Sequence, residues 1–210
     1  MCPEIETPVR EEWLPHAGVI FTAIEAAYGE TERIMADNPL LLYRNRAQLR
    51  GQLRYFLSAA VLHQCVAQNR LPGIEAQWLT QGCDILVLNS KSFEVQLAHT
   101  SSTDQKPKAS QRREFATVSN QLLLDGILQG KPPSPDALVQ LFLLHGDKSL
   151  SFVNLACPDS LDRDAGYVYL SPNFATCPRV VPSADVEDIQ EVVPLVAEEI
   201  IERIRSAGNE

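Results

Sequence analysis

Between positions 74 and 100 the chain places three short apolar stretches in quick succession, and that spacing restricts the fold more than any other feature. The stretches cover 74–80, 84–89 and 92–100, each too short for a self-standing helix and each bounded by turn-forming residues. Ile85-Leu86-Val87-Leu88 is a run suited to a buried strand. Asn89-Ser90-Lys91-Ser92 makes a compact polar turn, and Gln81-Gly82 offers another. The three segments therefore read as an antiparallel meander, with the second and third forming a hairpin.

Helical periodicity flanks the meander. Trp13, Leu14, Ala17, Ile20, Phe21, Ile24, Ala27 and Tyr28 recur at helical spacing and predict a helix over 11–36, which Asn38-Pro39 interrupts. A longer helix is expected from about 43 to 69, with an apolar stripe through Leu49, Leu53, Phe56, Leu57, Ala60 and Val61. Leu71-Pro72-Gly73 ends it. After the meander, 101–113 is a polar, basic loop leading into a helix through Phe115, Val118, Leu122 and Leu123 that stops near Gly130. Then 138–145 and 150–157 flank the turn Gly146-Asp147-Lys148, and 166–170 adds an edge strand.

A helix between the third and fourth strands forces a crossover, so that pair should run parallel within an otherwise antiparallel sheet. The expected fold class is α/β, a mixed central sheet flanked by helices. One domain is expected over 1–210, with its core at about 43–157 and a helical region at 11–36. A closing amphipathic helix is expected at about 183–206, striped by Val186, Ile189, Val193, Val196, Ile200 and Ile204 and kinked by Pro194.

Composition narrows the setting. Apolar residues make up 45% and charged residues 21% of the chain, ordinary for a globular protein that folds without a metal or disulfide. No apolar run is long enough to span a bilayer, and the acidic N-terminus carries no secretory signal pattern. The five cysteines form no CxxC pair and the four histidines no zinc spacing, which points to reduced thiols in the cytoplasm. A net charge of −9 argues against a surface coated with basic residues for non-specific nucleic-acid binding. P-loop, dinucleotide and GxSxG signatures are absent from the sequence.

Alternation on the third strand places Glu94, Gln96 and Ala98 on one face, and Phe93, Val95, Leu97 and His99 on the other. The second face is mostly apolar and should meet the core, leaving Glu94 and Gln96 pointing away from it. Asp84 opens the neighbouring strand, and the hairpin is expected to fold it back near Glu94. Two carboxylates held close repel unless a cation lies between them, and a hard divalent ion such as Mg²⁺ suits such a pair.

The segment Gly82-Cys83-Asp84, the hairpin, and Phe93-Glu94-Val95-Gln96 resemble the PD-(D/E)xK nuclease superfamily, also called restriction-endonuclease-like. The resemblance implies a core of helix, three-strand meander, helix and strand, matching the order from Tyr43 to His145. It implies Asp84 and Glu94 as ligands of Mg²⁺ or Mn²⁺, with Gln96 as the third catalytic residue, orienting the attacking water. It also implies metal-dependent endonuclease or exonuclease hydrolysis of DNA or RNA. Cys83 stands where the family has proline, and Gln96 where it has lysine. Some members use an acid from a preceding helix, for which Glu25 is the candidate, while Gln52 occupies the long helix.

Arg50, Arg54, Lys106, Lys108, Arg112 and Arg113 are the candidate phosphate-facing cations. Two readings therefore follow: a Mg²⁺-dependent nuclease, or a non-catalytic module on the same fold. The module would bind a protein partner or a second copy through the C-terminal helix or an exposed sheet edge.

Overall fold

The computed structural model describes residues 3–37, 46–80, 84–108, 110–128, 137–146, 149–158, 166–177 and 193–194. The chain divides into two compact units, one formed by Met1–Ala17 and Pro72–Cys177, the other by Gly18–Leu71 and Pro178–Glu210.

The first unit is built on a six-stranded sheet in sequential order: β1 (Glu75–Thr80), β2 (Asp84–Asn89), β3 (Phe93–Thr100), β4 (Val139–Gly146), β5 (Phe152–Cys157) and β6 (Tyr169–Leu170). β1, β2 and β3 form the expected antiparallel meander. β3 and β4 run parallel, joined through the helix α4 (Gln111–Leu128), while β5 and β6 continue antiparallel. The apolar run on β4 is buried on both faces, as a central strand requires.

Residues opposite one another across strands share a face. One face of the sheet carries Leu86, Leu88, Val95, Leu97, Leu141, Leu143 and Leu155, all fully buried. The other carries Ala98, Phe142, Leu144, Phe152 and Ala156, which cluster with Ala116 of α4. The small Ala116 side chain lets α4 lie close to the strands. Asn120 then fixes it: its Oδ1 accepts from Gln140 N at 2.8 Å, and its Nδ2 donates to the carbonyls of Gln140 at 2.7 Å and Pro158 at 2.8 Å. Ser110 caps the helix start, its Oγ accepting from Arg113 N at 3.3 Å.

A helix that the periodicity of 11–36 does not anticipate, α1 (Pro3–Glu12), opens the chain. Proline at its first position loses no intrahelical hydrogen bond, and Glu4 and Glu6 in the first turn and Arg10 in the last suit the dipole. Its C-terminal end clamps the β2–β3 turn. Glu12 accepts from Ser92 N at 3.1 Å and Ser92 Oγ at 2.6 Å, and Trp13, fully buried, donates from Nε1 to Ser90 Oγ at 3.0 Å. A one-turn 3-10 helix, Leu14–His16, follows. Burial holds the His16 imidazole below its ordinary range, partly offset by its hydrogen bond to the Pro72 backbone. The span expected as one helix over 11–36 thus holds the end of α1, the 3-10 turn and, as its main part, α2 (Ala17–Asp37).

In the second unit, Ala27, Ile34 and Met35 of α2 pack with Leu53 and Leu57 of α3 (Arg46–Ala67). Asn69 ends α3 in the left-handed region at φ 56°. Asn69 N bonds to Val66 O at 2.8 Å and Arg70 N to Cys65 O at 2.9 Å, a Schellman closure. Phe56, expected in the buried stripe, is exposed and stacks edge-on against Tyr55. Of the closing helix expected at 183–206, only Val193 and Pro194 are among the described residues. Both are helical, and Val193 is buried. No described helix is long and apolar enough to cross a membrane.

Candidate functional site

The register of the β2–β3 hairpin decides where the three candidate catalytic residues fall. Asn89 lies opposite Glu94, Leu88 opposite Val95, and Val87 opposite Gln96. Asp84 is five positions before Asn89 on β2, so at strand rise it is about 17 Å from the level of Glu94. Five is an odd number, so Asp84 also points to the opposite face of the sheet from Glu94 and Gln96. The hairpin forms as expected, but it does not fold Asp84 back beside Glu94. This corrects the expected juxtaposition.

The face carrying Glu94 and Gln96 does not point away from the core either, because α4 covers it. Gln96 is 4% exposed, between Val87 and Phe142 in the sheet, and is closed off from bulk solvent. Glu94 Oε1 accepts from Arg112 Nη2 at 2.7 Å, with about a quarter of each side chain exposed. The first turn of α4 thereby neutralises the strand acid. Arg112 gains nothing from the helix dipole at that position, and Glu94 explains its placement.

The donor set does not fit Mg²⁺ or Mn²⁺. One carboxylate already holds a guanidinium, the other lies on the far face, and among the described residues no three His, Cys, Asp or Glu side chains converge for a metal. Glu25 and Gln52 are both exposed on their helices in the second unit.

The candidate phosphate-binding cations are largely engaged within the protein. Arg54 is 5% exposed, donates to Glu32 Oε1 at 2.8 Å, and lies 4.4 Å over the Tyr28 ring. Arg50 reaches the same Glu32 oxygen at 3.1 Å. These two arginines tie α3 to α2, and burial takes Arg54 out of the expected phosphate-facing set. Arg113 Nη1 donates to Lys108 O at 2.7 Å. Lys108 is exposed and Lys106 half-buried on the loop that precedes α4.

His99 and His145 are neighbours in the parallel β3–β4 register, their rings edge to face at 5.6 Å, with His145 fully buried. Burial also pushes the Tyr167 hydroxyl up from its ordinary range, and that hydroxyl donates to Gln105 O at 3.1 Å. None of the described cysteines, Cys65, Cys157 and Cys177, is in a disulfide.

Sequence periodicity finds α4 but not the direction its side chains face. Phe115 and Leu122 are 69% and 71% exposed, and Val118 is also exposed, whereas Ala116, Thr117 and Asn120 face the sheet. The helix cannot rotate the stripe inward without breaking the Asn120 bonds.

Compared with family models, with curated proteins and with solved structures, the chain matches none.

Removing Arg112 tests the electrostatic account of Glu94. Arg112→Ala should destabilise the protein by about 1–3 kcal/mol, because a half-buried carboxylate loses its partner. Adding Glu94→Gln should recover part of that loss. A double-mutant cycle by urea unfolding measures the coupling. Strictly additive losses would mean that the pair contributes nothing.

Proposed function

We propose that this chain is a non-catalytic protein-interaction module on a restriction-endonuclease-like framework. The element order supports the framework: α3, the β1–β2–β3 meander, α4 and a parallel β4. The outward stripe of Phe115, Val118 and Leu122 carries the interaction reading. Its i, i+3, i+7 spacing is that of helix anchors, displayed on a helix whose other side is fastened to the sheet. An amphipathic helix of a partner protein is the occupant that meets such a stripe. The nuclease reading loses support because Glu94 is paired with Arg112 and Asp84 lies on the other face.

A photoreactive residue at Ser119, in the flank of the stripe, tests this reading. The expected result is a discrete adduct whose purified partner binds Phe115→Ser/Leu122→Ser at least roughly tenfold more weakly than wild type, typical of losing central apolar anchors. Mg²⁺ or Mn²⁺ should support no cleavage of linear, circular or single-stranded nucleic acid. Metal-dependent cleavage abolished by Glu94→Ala would overturn the proposal, as would partner binding indifferent to the stripe.

A further inference from the structure

The two edges of the sheet are finished differently. At one edge β6 has only two residues, and the following segment closes the rim of β5 with side chains. Leu155 N donates to Ser171 Oγ at 2.8 Å, Val153 N to Asn173 Oδ1 at 3.0 Å, and Ser171 N to Leu155 O at 2.8 Å. Asn154 Nδ2 adds a bond to Ser171 O at 2.8 Å. A new strand finds those groups already occupied.

At the other edge, the described residues place none of these devices along the β1 backbone. It runs six residues in unbroken register with β2, without a bulge, proline or lysine. Among the described residues, no backbone hydrogen bond reaches it from any strand but β2. Glu75 and Gln77 are exposed along it, and Ala76, Trp78 and Leu79 are partly so. Long, regular edges of this kind template the addition of another strand unless something blunts them.

We propose that β1 pairs antiparallel with β1 of a second copy, making a two-fold dimer with one continuous sheet. A second copy is the occupant because, among the described residues, each chain presents one open edge and one closed edge. An isologous pair consumes both open edges and stops, whereas head-to-tail addition would need the closed one. Charge agrees with this choice. Glu75 is the only ionisable residue on β1, and a two-fold at Gln77 sets it opposite Leu79 of the second copy. Ala76 then meets Trp78, and the two Gln77 carboxamides face each other across the axis, so no like charges are opposed.

Sedimentation equilibrium of the full chain across a wide concentration range tests this. The expected result is a reversible monomer–dimer equilibrium, weakened roughly tenfold or more by Gln77→Lys, which places two ammonium groups at the axis. Hydrogen exchange of the 75–80 amides should slow as the dimer forms, a readout that requires no mutation. Phe115→Ser/Leu122→Ser should leave the dimer intact. A chain that stays monomeric throughout, or a dimer lost with the α4 variant and kept with Gln77→Lys, would overturn the proposal. Either result leaves partner binding through α4 to be judged on its own measurement.

Discussion

Gly146→Ala is expected to destabilise the first unit by about 3 kcal/mol, the upper range for forcing volume into a close-packed site. Gly146 ends β4 beside Thr100 of β3 in the parallel register and opposite Phe152 of β5. A Cβ there would run into the Thr100 carbonyl and lie 2.9 Å from the Phe152 ring. The ring can turn, but the carbonyl belongs to the strand and cannot move without disturbing the register. The control is Gly126→Ala on α4, where a Cβ meets nothing within 4 Å. That change should stabilise by up to about 1 kcal/mol through helix propensity. Urea midpoints should therefore move in opposite directions for the same chemical change, and movement in one direction would contradict the local geometry.

Trp13→Ala should cost about 3–5 kcal/mol, as for other buried aromatic truncations. Trp13 fills a fully buried position, and its indole N–H reaches the β2–β3 turn through Ser90. Its removal empties that position and undoes half of the clamp that Glu12 completes at Ser92. Trp13→Phe separates the two contributions, since it keeps most of the volume and loses only the hydrogen bond, for about 1 kcal/mol. Hydrogen exchange at the turn should quicken in both variants, and more in the alanine variant. Unchanged exchange at Ser90 and Ser92 would show that the N-terminal segment does not hold the hairpin.

Much of the fold is legible because its signals are local. The meander follows from turn residues at 81–82 and 89–92, the parallel β3–β4 pair from the helix between them, and the approximate end of α3 from Leu71-Pro72-Gly73. The candidate site is less legible, for a countable reason. Positions in a hairpin are counted outward from its turn, and Asn89, rather than Asp84, is the residue that meets Glu94. Register converts a miscount into both the wrong distance and the wrong face. The direction of α4 is less legible still. An apolar i, i+3, i+7 row is usually a buried one, but here close approach through Ala116 and the bonds of Asn120 set the opposite side against the sheet. Asn120 carried no signal in the sequence, since an asparagine within a helix is ordinarily a poor former facing solvent. The place of Arg54 is equally hidden in the sequence, because its partners, Glu32 and Tyr28, come from a helix well before it in the chain.

The hairpin register keeps Asp84 apart from Glu94 and Gln96, so that the three form no shared metal site. Cross-strand nuclear Overhauser contacts in the isotopically labelled protein read this register directly. The predicted result is contacts between Val87 and Gln96 and between Asn89 and Glu94, with none linking Asp84 to Glu94. Contacts placing Asp84 beside Glu94 or Gln96, on the same face, would contradict the account and restore the case for a metal-dependent nuclease.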